Sequence, residues 1–463
     1  MKKLLAIIVL GLLLSVNAYA DKKYLKNFNQ FLFDNTKYLD KHKMKGVTSI
    51  NICKEEKKFS KKYMENECEF KAEHVLEIKN KLKIKFYKDR NNIPWGKKAN
   101  YDTLLYYGFT LLDDNKGFHK IGSKGSTQPY KFEFNLREDK DVKKEIQETG
   151  MLSYLLYEDG KIVVDEKTPK DRFGILFDDK TQWTSASMGK SITSYVIGHA
   201  ICEGYIDSVD SRLNDWPLIE NTLFYDQKLI DLLNMAAGNQ KYADKTDLKT
   251  KGKWSKNANR NTIKFHMTEG VFKNTKGKKG ESKYRYSNVV SNLLINYAWY
   301  KSQGNFQNLL DKIFISKAKV ENPVNFLVMH TNTVQKYYNV TENDGPIRYS
   351  FAASRYDYLR IAKAILDDWQ NDTCTGKYLK TIYENRIPKN VNLPDSDPEG
   401  NAKSYAGQFH TDYKDLDRVI MGMNGASGQS IIIDFEKSKI VVINSIHNDY
   451  NWKKIAYSVI KNG

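Results

Sequence analysis

Beyond residue 20 the 463-residue chain has no stretch approaching eighteen uncharged apolar residues, which excludes a second membrane anchor in the remainder. Cysteine is scarce, with four (Cys53, Cys68, Cys202, Cys374) in a chain too long to need a disulfide framework. None of their spacings resembles a zinc site. The eight histidines are scattered and read as structural, so no metal or cofactor is called for. No internal repeat or low-complexity tract is evident. A nucleic-acid module is also missing. The net charge of +18 comes from lysines spread among nearly as many acids, which describes a solvated surface and not a basic stripe.

The first twenty residues read as a separate object. Lys2 and Lys3 form a basic region, residues 4–14 an apolar run, and Ala18-Tyr19-Ala20 a small-residue cleavage site. The expectation is a signal peptide over 1–20, removed to leave an exported, periplasmic or secreted protein. In that oxidising setting Cys53 and Cys68 are the best candidate pair, and Cys202, within an apolar helical pattern, reads as a small buried hydrophobe. The run KNTKGKKGESKYR (273–285) favours an anionic substrate or surface.

The remainder divides at about residue 145. Residues 21–145 alternate β-like runs with turn signals and carry no motif, so no role is assigned to them. From 146 to 463 the pattern is strands, then helices, then strands and a closing helix. SYLLYEDGKIVVDE (153–166) and QSIIIDFEKSKIVVINS (429–445) read as hairpins. A helical pattern follows Ser187 and is ended by Gly204, residues 229–238 and 287–300 also read as helical, and 451–462 as the last helix. An α/β sheet interrupted by a helical subdomain follows.

Two incompatible motifs overlap at TSASMGKSIT (184–193). Gly189-Lys190-Ser191 matches the end of a P-loop, but Thr184 stands where the leading glycine is required, and the loop between is poor in glycine. Ser187-x-x-Lys190 has another logic. With Ser187 at a helix start, Lys190 lies one turn on, on the same face, able to activate the hydroxyl. The same spacing recurs at Ser316–Lys319 and Ser458–Lys461, so it carries little alone. Its downstream company is Tyr286-Ser287-Asn288 before a long amphipathic pattern, and Asn424-Gly425-Ala426-Ser427-Gly428-Gln429 before an apolar strand. Tyr-x-Asn also recurs, at Tyr337–Asn339 and Tyr383–Asn385.

In this order the motifs resemble the β-lactamase-related serine hydrolases: class C β-lactamases, DD-peptidases, esterases and nylon-oligomer (aminohexanoate-dimer) hydrolases. The resemblance covers about residues 150–463. It implies a β-lactamase/transpeptidase-like α/β fold, an antiparallel sheet flanked by helices with an inserted helical subdomain. It also implies Ser187 as nucleophile and Lys190 and Tyr286 as acid/base groups. Asn288 would orient Lys190 or the substrate; a helix cap is the alternative. Ser427, Gly428 and Gln429 would line the substrate and oxyanion site, with the backbone N–H groups of Ser187 and Gln429 as donors. The family's Lys/His-Thr/Ser-Gly triplet falls on Ala426-Ser427-Gly428, and Ala426 has no cation for a substrate carboxylate. That moves the expectation from β-lactamase or DD-peptidase toward an esterase or amidase acting on a small-molecule ester or amide. A catalytically silent envelope protein of the same fold is the rival from another class.

Overall fold

The computed structural model describes residue 98 and residues 119–174, 177–237, 262–278 (without 269 and 271), 283–328 and 345–462. Cys53, Cys68, the expected signal peptide and the second Tyr-x-Asn at 337–339 lie outside the described residues.

Among the described residues the strands form two sheets. The larger has nine strands in the order β2-β4-β3-β13-β12-β11-β10-β9-β8. Its central members are β3 (Met151–Glu158), β4 (Lys161–Lys167), β11 (Ile420–Gly425), β12 (Gln429–Asp434) and β13 (Lys439–Ser445). Outside them run β8 (Ile387–Pro388), β9 (Ala402–Ala406) and β10 (Phe409–Tyr413) on one side and β2 (Glu133–Phe134) on the other. Its pairings are antiparallel apart from β2 on β4. The β3–β4 connection is the two-residue turn expected of Asp159-Gly160, both at positive φ (48° and 84°). Mirror-image turns of this kind match the twist of the strands they join.

The smaller sheet was not anticipated. It runs β1 (His119–Ser123), β6 (Val324–Val328), β7 (Ile347–Ala353), β5 (Trp183–Thr184), all antiparallel. Its strands are short apolar runs taken from distant parts of the chain, which periodicity cannot tell from buried helix. Strands β1 and β2 and helix α1 (Lys140–Glu148) show that residues before 146 contribute to both sheets.

Alternation along the central strands explains the two cores. Leu155, Ile431, Ile433 and Val442 face one side, with the long helices. Leu156, Ile432, Val441 and Ile443 face the other, with Val142 and Ile146 of α1 and the C-terminal Trp452, Ile455 and Ile460. The first core is filled by α2 (Met188–Cys202), α3 (Leu229–Leu233), α4 (Ile263–Thr268), α5 (Asn288–Lys301), α6 (Phe306–Asp311), α7 (Arg355–Gln370) and α8 (Cys374–Glu384). Among them α2 is buried nearly all round, its polar Lys190, Ser191, Thr193 and Ser194 included. It packs on α5, α8, β7 and β11. Short α9 (Pro398–Asn401) precedes β9, and α10 (Ser458–Lys461) closes the described chain.

Cys202 departs from expectation. It forms a disulfide with Cys374, Cα–Cα 5.8 Å, across 172 residues. The bond ties the end of α2 to the start of α8, a proximity no local pattern encodes. Replacing both cysteines by alanine is expected to lower unfolding free energy by about 2–4 kcal/mol, because the open chain gains entropy. Urea unfolding of the variant beside the wild type measures it; an unchanged midpoint would show the link carries no load.

Candidate active site

The site begins in a strained turn. Trp183 and Thr184 pair with Ala353 and Ala352 of β7, and Ser185 prolongs the contact: its N–H donates to Phe351 O (2.6 Å) and its Oγ accepts from Phe351 N–H (2.9 Å). The chain then reverses through Ala186, an L-residue held at φ 46°, a conformation that costs roughly 1–3 kcal/mol and persists only where surroundings enforce it. Ser187 therefore arrives at the N-cap of α2 but does not cap it with its side chain. Its hydroxyl turns instead to other partners. The helix terminus adds a positive end beside it.

Two residues close on that hydroxyl. Lys190 Nζ lies 3.2 Å from Ser187 Oγ, and Tyr286 OH donates to the same oxygen at 2.7 Å. Lys190 is only 1% exposed. Its Nζ also donates to Asn288 Oδ1 at 2.7 Å and sits 3.3 Å from the Tyr349 ring centroid and 4.8 Å from that of Tyr286. Tyr349 OH donates to Asn288 Oδ1 at 2.8 Å. The cap of α5 is Ser287, whose side chain accepts from Val290 N–H. Asn288 is thus relieved of capping, and its amide oxygen serves Lys190.

Why Tyr286 sits there is local. Met235, just past α3 at φ 55°, accepts from Arg285 N–H through its carbonyl (2.7 Å) and from Ser287 N–H through its sulfur (3.3 Å). The residues either side of Tyr286 are so pinned. Gln408 joins the three helices around it: it accepts from Ser191 Oγ (2.6 Å) and Ser291 Oγ (2.8 Å) and donates to Leu233 O (2.7 Å).

The GKS letters find their account here. A Cβ on Gly189 would lie 2.0 Å from Tyr349 O and 2.7 Å from Ser185 Oγ, so glycine lets β7 meet α2 backbone to backbone. Ser191 is buried on Gln408. Neither residue belongs to a phosphate loop.

On the far side, Ala426–Gly428 make one tight turn between β11 and β12, with Ser427 at φ 65° and Gly428 at φ 83°. A Cβ on Gly425 would come 2.3 Å from Ser185 O, so this turn flanks the one that carries Ser187. Gly428 O accepts from Tyr450 OH at 2.8 Å. The Gln429 side chain faces inward, donating to Ser445 O and accepting from Asn444 Nδ2. What Gln429 offers the site is backbone. Ala426 is exposed and brings no charge.

Sequence reading missed a second layer behind Tyr286. Tyr284 packs on Tyr405 (centroids 5.0 Å), Tyr405 on His410 (5.2 Å), and His410 Nδ1 lies 3.1 Å from Lys389 Nζ, which donates to Glu399 O at 2.5 Å. Burial sets the ionisation here. It pushes the Tyr286 phenol well above its usual range, with Tyr349 adding and the Ser187 hydrogen bond opposing. Burial, then Lys389 and Lys190, hold His410 well below 6.5 and so neutral. Burial lowers Lys389 to about 8 against the pull of Glu399 and Asp397. Burial raises the Glu399 carboxyl, opposed by Lys389. These residues match no short motif. Only their shared proximity distinguishes them. Among the described residues no group of three or more His, Cys, Asp or Glu is arranged to hold a metal ion, and no helix is long and apolar enough to cross a membrane.

No protein-family model matches the chain, and no curated protein sequence matches it significantly. Solved structures do. A Bacillus anthracis protein assigned as a 6-aminohexanoate-dimer hydrolase superposes with a TM-score of 0.53 at 15% identity, covering 81% of this chain and 96% of that one. A penicillin-binding protein from Bacillus halodurans gives 0.48 at 14% identity, over 67% and 96%. An octameric penicillin-binding protein homologue from Pyrococcus abyssi gives 0.47 at 16%, over 68% and 73%. The chain has the β-lactamase/transpeptidase-like α/β fold. Within that fold it is similar to the Bacillus anthracis protein over nearly that protein's whole length.

The glycine contact gives a direct check. Gly189→Ala is expected to lose roughly 2–4 kcal/mol by forcing β7 from α2, read as a lower urea midpoint. Ser191→Ala, which removes one buried hydrogen bond, should lose about 1–3 kcal/mol. A Gly189→Ala variant as stable as the wild type would contradict the packing.

Proposed function

We propose that the chain is a serine hydrolase cleaving a small-molecule ester or amide through an acyl-enzyme on Ser187. One observation carries the reading: a lysine and a tyrosine both within hydrogen-bond reach of a single serine oxygen at a helix start. Nucleophile and base in mutual contact are the signature of an activated hydroxyl.

In the resting site the Tyr286 phenol is protonated and donates to Ser187 Oγ. On attack Lys190 acts as the neutral amine: Oγ bonds to the carbonyl carbon while its proton passes to Lys190 Nζ, directly or by way of Tyr286, which takes it and hands its own on. The same pair returns a proton to the leaving alcohol or amine as the C–O or C–N bond breaks. Water then attacks the acyl ester, gives its proton to the pair, and releases the acid with Ser187 restored. Asn288 holds Lys190 throughout. The N–H groups of Ser187 and Gln429 are the proposed oxyanion donors; loss of one such donor typically costs about 3 kcal/mol of transition-state stabilisation.

The basic and apolar runs of residues 2–14 and the Ala18-Tyr19-Ala20 site support export to a periplasmic or secreted location. The Cys202–Cys374 disulfide supports the same oxidising setting. No nucleic-acid partner is proposed. The uncharged Ala426 favours esters and amides over carboxylate-bearing β-lactams and peptide termini.

Ser187→Ala should abolish labelling by a fluorophosphonate probe and lower p-nitrophenyl ester turnover at least about a thousandfold. Labelling that persists at another serine would remove the assignment. A panel of small neutral and anionic esters, amides and a fluorescent penicillin separates the rivals. Covalent capture of the penicillin restores the peptidase or β-lactamase reading. Silence with every activated ester supports a non-catalytic protein of the same fold.

A further inference from the structure

Tyr349 stands outside every motif, yet it touches both Lys190 and Asn288. It lies in the middle of β7, and its backbone is fixed from two sides. Its N–H donates to Asn292 Oδ1 on α5 at 2.9 Å. Its carbonyl occupies the space that Gly189 of α2 leaves by having no Cβ. A strand so held can aim a side chain with little freedom. The phenol hydroxyl donates to Asn288 Oδ1 at 2.8 Å, while the ring lays its face 3.3 Å from Lys190 Nζ. Asn288 Oδ1 in turn accepts from Lys190 at 2.7 Å. Tyrosine, amide and ammonium form a closed triangle.

The structure assigns Tyr349 as a positioning residue that sets the charge and the aim of Lys190, an inference that rests on Ser187 and Lys190 being the reacting pair. Its hydroxyl orients the Asn288 amide with oxygen toward Lys190. Its ring face favours the ammonium over the neutral amine, an attraction that strengthens where water is excluded, and Lys190 is 1% exposed. Other groups face Lys190 as well. Ser187 lies on its own helix, Tyr286 and Asn288 at the start of α5, and Glu399 and His410 act on it electrostatically from α9 and β10. All of these residues remain in the variants; Asn288 loses its Tyr349 hydrogen bond in Tyr349→Phe and Tyr349→Leu alike, so the difference between the two isolates the ring.

The sign of the effect does not depend on which form of Lys190 reacts. Removing the ring lowers the Lys190 pKa. If the neutral amine is the base, the rising limb of the pH profile moves down. If the ammonium is needed, the falling limb moves down. In Tyr349→Leu the limb governed by Lys190 is therefore expected about one unit lower, the tenfold in equilibrium that a lost cation–π contact at a dry site amounts to. Tyr349→Phe keeps the ring, so its limb should stay in place while the rate falls severalfold from the loosened Asn288.

Two measurements on the full-length protein decide it. One is the pH dependence of the rate of Ser187 labelling by a fluorophosphonate, for wild type and both variants. The other is an NMR titration of [13Cε]lysine-labelled protein, with the Lys190 signal assigned by Lys190→Met, which needs no turnover. A downward shift in Tyr349→Leu, but not in Tyr349→Phe, is the expected result. Equal profiles and equal Lys190 titrations in all three proteins would reduce Tyr349 to a packing residue. Wild type that is never labelled at Ser187 would overturn the hydrolase reading, while the titration still decides the tyrosine. If Tyr349→Leu fails to fold, Tyr349→Met makes the same comparison.

Discussion

The first turn of α2 is held where two sheets come within backbone contact of it, and the rest of the site depends on that closeness. On one side the Tyr349 carbonyl of β7 fills the space above Gly189; on the other, Gly425 of β11 lies against the Ser185 carbonyl. Each contact requires a glycine, since a methyl group at either position would overlap a backbone oxygen. Close-packed interiors do not absorb such an overlap without moving an element. Drawn together in this way, the strands enforce the left-handed Ala186, present Ser187 at a helix start, and bring the Ala426–Gly428 turn beside it.

Charge is handled differently in the frame and in the site. Buried framework ions are matched with opposite charge: Arg355 with Asp165 and Asp179, Arg360 with Asp357 and Glu321, Asp434 with Arg418, Asp368 with Lys317. Removing either member of such a pair would leave a buried charge uncompensated. Lys190 is met by an amide oxygen, the serine oxygen and two ring faces. Neutral partners place Lys190 Nζ without fixing its proton, which suits the acid/base role proposed for it.

The spurious motif copies show why short patterns mislead. Ser458 donates to Lys453 O within its own helical segment, and Lys461 reaches toward Asp415. Tyr383 and Asn385 end α8, with Asn385 Nδ2 donating back to Thr381 O. In these two copies Ser458 and Asn385 bond back onto their own helical segments. Ser187 differs because the turn before it is held from outside, leaving its hydroxyl to Lys190 and Tyr286.

Hairpins β3–β4 and β12–β13 and helices α2 and α5 were legible because their determinants are local: alternation, an Asp-Gly turn, and apolar spacing at the helical period. Ser187, Lys190, Tyr286 and Asn288 were legible through their order along the chain and a family resemblance. By itself, then, the sequence determined the two hairpins, helices α2 and α5, and the short list of candidate residues. Tertiary structure alone decided the four-stranded sheet, the partner of Cys202, the reason for Gly189, and the layer from Tyr349 to Lys389. Those depend on distances between residues dozens to hundreds of positions apart, and a linear pattern carries no information about such distances until packing sets them.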